Sequence, residues 1–266
     1  MAPSIVLVPG MASVGNVFYM PLKLELEKLG YTEVIIVEIP SVDSESRLGD
    51  LRPNPLEADI KHIRQILTNL LDGGKDVVIV AHSYGGTPSL YASEGLWKHA
   101  RSGDSGGVIK AVLLSSSLTM PGHSVGGERA QWAAVHMPEL LKAQESARIE
   151  TVEDIPFLHP EGMEQAFFAD MNPEEQKLWA AKGLRPNPLG TVMAETPQAT
   201  TSDWRVAYLL TEELDPSMPL AFQQFLIDQG RKHGVAIEQT KKMKSGHFVQ
   251  VTHSEEVAKW VNEITT

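Results

Sequence analysis

The stretch Val77-Val78-Ile79-Val80-Ala81-His82-Ser83-Tyr84-Gly85-Gly86 decides how the chain is read. Its first four residues are apolar and β-branched without alternation, which suits a strand covered on both faces of a parallel sheet. The strand runs into a serine with a small residue two positions before it and a glycine two positions after it. A helix is expected next. That junction is the setting of a nucleophile elbow, where a sharp turn strains the serine backbone and leaves no room for bulk at −2 and +2. Ala81 stands where a glycine is usual and is still small. The plain alternative, an ordinary serine in a glycine-rich turn, lacks a reason for the buried strand that leads into it.

Similar runs flank this one. Ile5–Val8, Val34–Val37 and Val108–Leu114 are continuous and apolar. Between them lie helical spacings: Leu22, Leu26 and Leu29, with Pro21 at the start and Gly30 at the stop, then Ile60, Ile63, Leu67 and Leu70. Alternating strands and helices predict an α/β fold with a mostly parallel sheet of about six strands and helices on both faces. The rhythm breaks over residues 118–200, which read as helical pieces and Pro/Gly turns rich in large apolar residues. It returns with strands near Val206–Leu210 and Val235–Gln239 and a last helix through Val257, Trp260, Val261 and Ile264. The expected division is therefore a core of residues 1–117 and 201–266 with a helical cap, 118–200, inserted over the carboxyl edge of the sheet. Leu-Arg-Pro-Asn-Pro-Leu occurs twice, at 51–56 and 184–189, and reads as two similar turns rather than a repeat architecture.

Composition narrows the function classes. The chain has 266 residues, 23 Lys plus Arg against 34 Asp plus Glu, a net charge of −11, and no cysteine. Such acidity disfavours nucleic acid and anionic membranes as partners. The missing cysteine removes disulfides, thiolate metal sites and a cysteine nucleophile. No run of about 20 apolar residues predicts a membrane helix, and the N-terminus does not read as a signal peptide. A cytoplasmic protein acting on a small molecule is expected, with no metal and no cofactor; monomer and homodimer fit equally.

An elbow serine needs an acid and then a histidine, in chain order. Among nine histidines, His247 in Lys244-Ser245-Gly246-His247-Phe248 lies between the last strand and the last helix, where a loop would hang over Ser83. His82 adjoins Ser83, but its side chain is expected to point away from the pocket. His62 and His99 fall on predicted helices. His123, His136 and His159 lie in the cap, where surface roles outweigh substrate contact. For the acid, Glu212, Glu213 and Asp215 compete, and spacing does not separate them. One oxyanion donor is the amide of Tyr84; the other comes from the loop Val8-Pro9-Gly10-Met11-Ala12-Ser13, where Gly10 permits close backbone approach.

With these residues in view, the chain resembles the α/β-hydrolase superfamily, and more narrowly the small hydrolases that include plant methylesterases and hydroxynitrile lyases together with related fungal and bacterial esterases. The resemblance rests on Leu7-Val8-Pro9-Gly10, His82-Ser83-Tyr84-Gly85-Gly86 and Ser245-Gly246-His247, and spans nearly the whole chain. It implies Asp215 as the acid, because that aspartate precedes Pro219 by four and Phe222-Gln223 follows; one extra residue after Thr211 leaves Glu213 as fallback. It also implies Met11 as the second oxyanion donor. The lyases of this group carry a threonine at the position of Gly10 and a lysine at that of Phe248, which argues against cyanide chemistry here.

The expected function is a serine hydrolase acting on an ester, lactone or thioester through Ser83, His247 and Asp215. Trp132, Phe168, Met171 and Trp179 of the cap, with Gly10 and Phe248, are the candidate substrate-binding residues. The same site would also serve a cyclase, acyltransferase or lyase. A ligand-binding protein on this scaffold is the third reading, and it would not need all three polar residues.

Overall fold

The computed structural model describes residues 2–42, 48–52, 54–101, 106–139 and 148–265. Six parallel strands, β1 (Ser4–Val8), β2 (Val34–Ile36), β3 (Val77–His82), β4 (Val108–Leu114), β8 (Arg205–Glu213) and β9 (Ala236–Ser245), form one sheet in the order β2-β1-β3-β4-β8-β9. The unbroken apolar runs follow from burial on both faces. Val6, Val8, Ile79, Ala81, Ala111 and Leu113 point into one core, while Ile5, Leu7, Val78, Val80, Val112 and Leu114 point into the other. The first core is closed by the helices Pro55–Asp72, Gly86–Ala92 and Leu220–Lys232, through Ile63, Leu67, Leu90 and Leu226. The second is closed by Met20–Lys28 and Ser254–Thr265, through Leu22, Leu26, Val257 and Val261.

From β1 the chain goes to β2 on one side and returns to β3 on the other. The loops leaving β1 and β3 therefore meet at a switch point on the carboxyl edge, where open α/β sheets bind ligands. The edge strand β9 extends to Ser245, beyond the predicted Gln239; its outward Glu238, Lys242 and Lys244 hid it in the sequence, and such charges suit an edge strand.

The inserted region between β4 and β8 is not wholly helical. Besides the helices Val125–His136, Glu164–Phe167, Pro173–Gly183 and Gly190–Met193 it holds an antiparallel sheet of β5 (Ile149–Val152), β6 (Ile155–Leu158) and β7 (Asn187–Pro188). Glu153 and Asp154 turn the β5–β6 hairpin with φ of +45° and +69°, the conformation a two-residue hairpin loop needs. Neither the charged turn nor the fully exposed β5 carries an apolar pattern, so periodicity had nothing to detect.

The two copies of Leu-Arg-Pro-Asn-Pro-Leu do different work. Asn54 caps the helix Pro55–Asp72 by accepting from the amides of Leu56 and Glu57; Pro53 of this copy lies outside the described residues. Asn187 is buried, and its Oδ1 accepts from the Ala12 amide at 2.9 Å in the loop after β1.

Candidate active site

Ser83, Asp215 and His247 follow β3, β8 and β9, and the sheet brings them together. Ser83 has a φ of +52°, the strained turn expected of an elbow. The chain accommodates it by close backbone packing. A Cβ on Gly85 would lie 2.3 Å from the Pro9 carbonyl oxygen, and one on Gly10 would lie 2.9 Å from the Ser83 Cβ. Only glycine fits at either place.

His247 Nε2 lies 2.9 Å from Ser83 Oγ, and His247 Nδ1 lies 3.0 Å from Asp215 Oδ2. An ionised carboxylate only accepts, so Nδ1 carries the hydrogen and Nε2 offers its lone pair to the serine hydroxyl. Asp215 also accepts from Ser115 Oγ and Thr211 Oγ1, both at 2.6 Å, and from the Met218 amide at 2.9 Å. Burial pushes its carboxyl up, but His247 and the two hydroxyls outweigh that and hold it below the usual carboxylate range. Gln223 clamps the loop by binding the Thr211 backbone on both sides and the Met218 carbonyl. Glu212 and Glu213 face the other way, paired with Lys242 and Lys244.

Three consecutive serines after β4 escaped the sequence reading. Ser115 holds Asp215, while the Ser116 hydroxyl and the Ser117 amide donate to the Ser83 carbonyl at 2.6 and 2.9 Å. The available signal was a run of small hydroxyl residues at the carboxyl end of a buried strand. His82, whose side chain is expected to point away from the pocket, packs against His247. Its Nε2 donates to the His247 carbonyl at 2.9 Å, its ring lies 4.5 Å from the His247 ring, and Nδ1 has no partner. Burial above all, then the neighbouring His247, pushes its pKa well below the usual histidine value, so His82 stays neutral.

Residues 5–260 match the sequence profile of the alpha/beta hydrolase family. The chain belongs to that family. Among curated relatives, the alpha/beta hydrolase nvfD of Aspergillus novofumigatus is 26% identical over 229 residues, 86% of this chain and 84% of that one. The probable hydrolase R7 of a Phoma species is 29% identical over 135 residues, 49% of this chain and 51% of its own. Among solved structures, polyneuridine aldehyde esterase superposes with a TM-score of 0.78 at 19% identity, covering 100% of both chains. Tomato methylketone synthase I gives 0.71 at 15%, covering 99% of this chain and 98% of its own. At such identities the superpositions speak for the fold alone.

In this alpha/beta hydrolase the other candidate residues fall in separate places. Phe168 and Phe248 are buried and stacked at 4.8 Å, with Phe18 against both. Met171 packs on the same cluster, and Trp179 leans on Phe18 while lining an outer groove with Val17, Met20 and Leu24. Trp132 lies in the opposite core, 5.2 Å from Phe222. Phe167, which was not singled out, stacks on His247 at 5.8 Å. Met11 is partly buried in the loop after β1, and Tyr84 is fixed through its hydroxyl to Asp59 at 2.9 Å. The cap histidines have local partners: His123 pairs with Glu128, His159 with Glu150, and His136 packs on Trp132. Among the described residues no group of His, Asp and Glu is arranged to hold a metal, and no helix is long and apolar enough to cross a membrane.

Proposed function

We propose that this alpha/beta hydrolase cleaves an ester, lactone or thioester of a small, largely apolar organic substrate through an acyl-enzyme. The observation that carries the reading is the continuous hydrogen-bond chain from Ser83 Oγ through His247 to Asp215. Ser83 Oγ attacks the carbonyl carbon as His247 Nε2 takes its proton. The same proton then goes to the departing alcohol or thiol as its bond to carbon breaks. Water, deprotonated by His247, releases the acid and restores Ser83. Asp215 keeps the imidazole in the required tautomer and stabilises the imidazolium. The Met11 and Tyr84 amides receive the oxyanion. Each such donor is worth about 10²–10³ in turnover.

Ester chemistry is preferred over the other reactions this site could serve because an acyl-serine with water as its acceptor needs no further co-substrate. Hydrolysis of p-nitrophenyl butyrate tests it. Ser83→Ala and His247→Ala are each expected to lower kcat by at least roughly 10³-fold with an unchanged circular dichroism spectrum. Undiminished turnover by Ser83→Ala would overturn the proposal.

A further inference from the structure

The cap helix Val125–His136 carries an arginine that pairs with none of the described side chains. Arg129 is half-buried, its Nε is enclosed without a hydrogen-bond partner, and no ion pair among the described residues includes its guanidinium. Its sequence neighbour Glu128 turns its Oε1 elsewhere, to the Met120 amide at 3.4 Å and to His123 at 3.1 Å, and forms no ion pair with Arg129. Trp132, one turn along the same helical face, packs on Phe222 and shares a core with Met218 and Tyr84. That face of the helix therefore rests against the helix Leu220–Lys232, which leads out of the acid loop. Asp215 is the carboxylate whose charge acts on Arg129. It cannot serve as the partner, because His247, Ser115, Thr211 and the Met218 amide already occupy it.

A guanidinium whose Nε is enclosed without a partner is under-satisfied, and the five-donor fork of arginine matches a carboxylate in two-point geometry. We propose that Arg129 is a specificity-determining residue that binds a free carboxylate on the substrate, so that the preferred substrates are half-esters whose anion lies a few bonds from the scissile carbonyl. The proposal rests on the hydrolase reading above. It adds one cationic anchor to the aromatic surroundings of His247, the pattern of small-molecule sites in which one polar group fixes orientation.

The test compares the mono-p-nitrophenyl esters of succinate, glutarate and adipate with p-nitrophenyl butyrate, pentanoate and hexanoate, which match them in chain length. Wild-type protein should favour the carboxylated ester at one length at least by on the order of 10²-fold in kcat/KM. Arg129→Met should bring that ratio near one, and Arg129→Lys should keep part of it, as a point charge without the fork. A merely structural arginine would slow both esters together and leave the ratio fixed, which would overturn the proposal, as would a wild-type ratio near one at every length. Calorimetry with monomethyl succinate, glutarate and adipate reads the anion site without turnover. The Ser83→Ala protein should bind one of them, and the Ser83→Ala, Arg129→Met protein should not. Equal binding by the two, or none by the first, contradicts the anchor even if the hydrolase reading stands. Failure of every ester to turn over, with Arg129-dependent binding intact, would overturn the hydrolase reading and leave the anchor.

Discussion

Ser83 occupies a backbone region that costs an L-residue about 1–3 kcal/mol. The donors that follow β4 hold its carbonyl in place, and Gly10 and Gly85 leave it the space. Below it His82 fixes the His247 carbonyl while remaining uncharged, so a proton taken from Ser83 has one imidazole to go to. This neutrality has a pH consequence. The folded pKa of His82 lies well below its ordinary value of about 6.5, so the unfolded chain alone takes up the proton as the pH falls below that value. The stability involved is complete above pH ~6.5 and is lost progressively below it. In urea titrations, His82→Gln should therefore lose less stability than wild type between pH 7.5 and 5.5, by on the order of 1 kcal/mol. Equal losses in the two proteins would show that His82 is protonated in the fold. The strained serine was legible in the sequence, but the role of His82 was not, because it depends on a carbonyl 165 positions away.

At the level of elements, the loop after β1 is held by the cap as much as by the sheet. Ala12, at a φ of +61°, donates its amide to Asn187 and accepts the Arg185 amide at its carbonyl at 2.8 Å, and the Val14 amide donates to the Gly183 carbonyl at 2.9 Å. The cap thus fixes the backbone that carries Met11. Asn187→Ala would leave the buried Ala12 amide unpaired, at a cost of about 1–3 kcal/mol. It should also lower kcat by roughly 10–100-fold, a fraction of the effect of losing an oxyanion donor, with a smaller change in KM. Stopped-assay kinetics beside a denaturation curve separate the two effects; a stability loss with unchanged kcat would detach this loop from catalysis. The sequence marked the Asn-Pro pair as a turn, which suits Asn54. It could not distinguish Asn187, because the same six residues take their role from what lies opposite them.

Across the whole molecule, the layered sheet was the most legible feature. β-Branched runs, helical spacings and the elbow all agree on one topology, and such agreement between levels is what a foldable sequence shows. Ser83 and His247 were readable because the fold constrains their place in chain order. Asp215 needed the family pattern, since three carboxylates lie within four residues and only the burial of one against Ser115 and Thr211 separates them. The cap was least legible. Its aromatic residues divide between two cores on opposite faces of the sheet, Trp132 in one and Phe168 in the other, a division that depends on how it docks. Sheet, cap and serine cradle converge on one chemical claim, that Ser83 is a working nucleophile. The most direct measurement is intact mass after exposure to a fluorophosphonate, for wild type and Ser83→Ala. We predict a single adduct on the wild-type protein and none on the variant; a folded wild-type protein that takes no label, or a variant that takes it equally, would contradict the account.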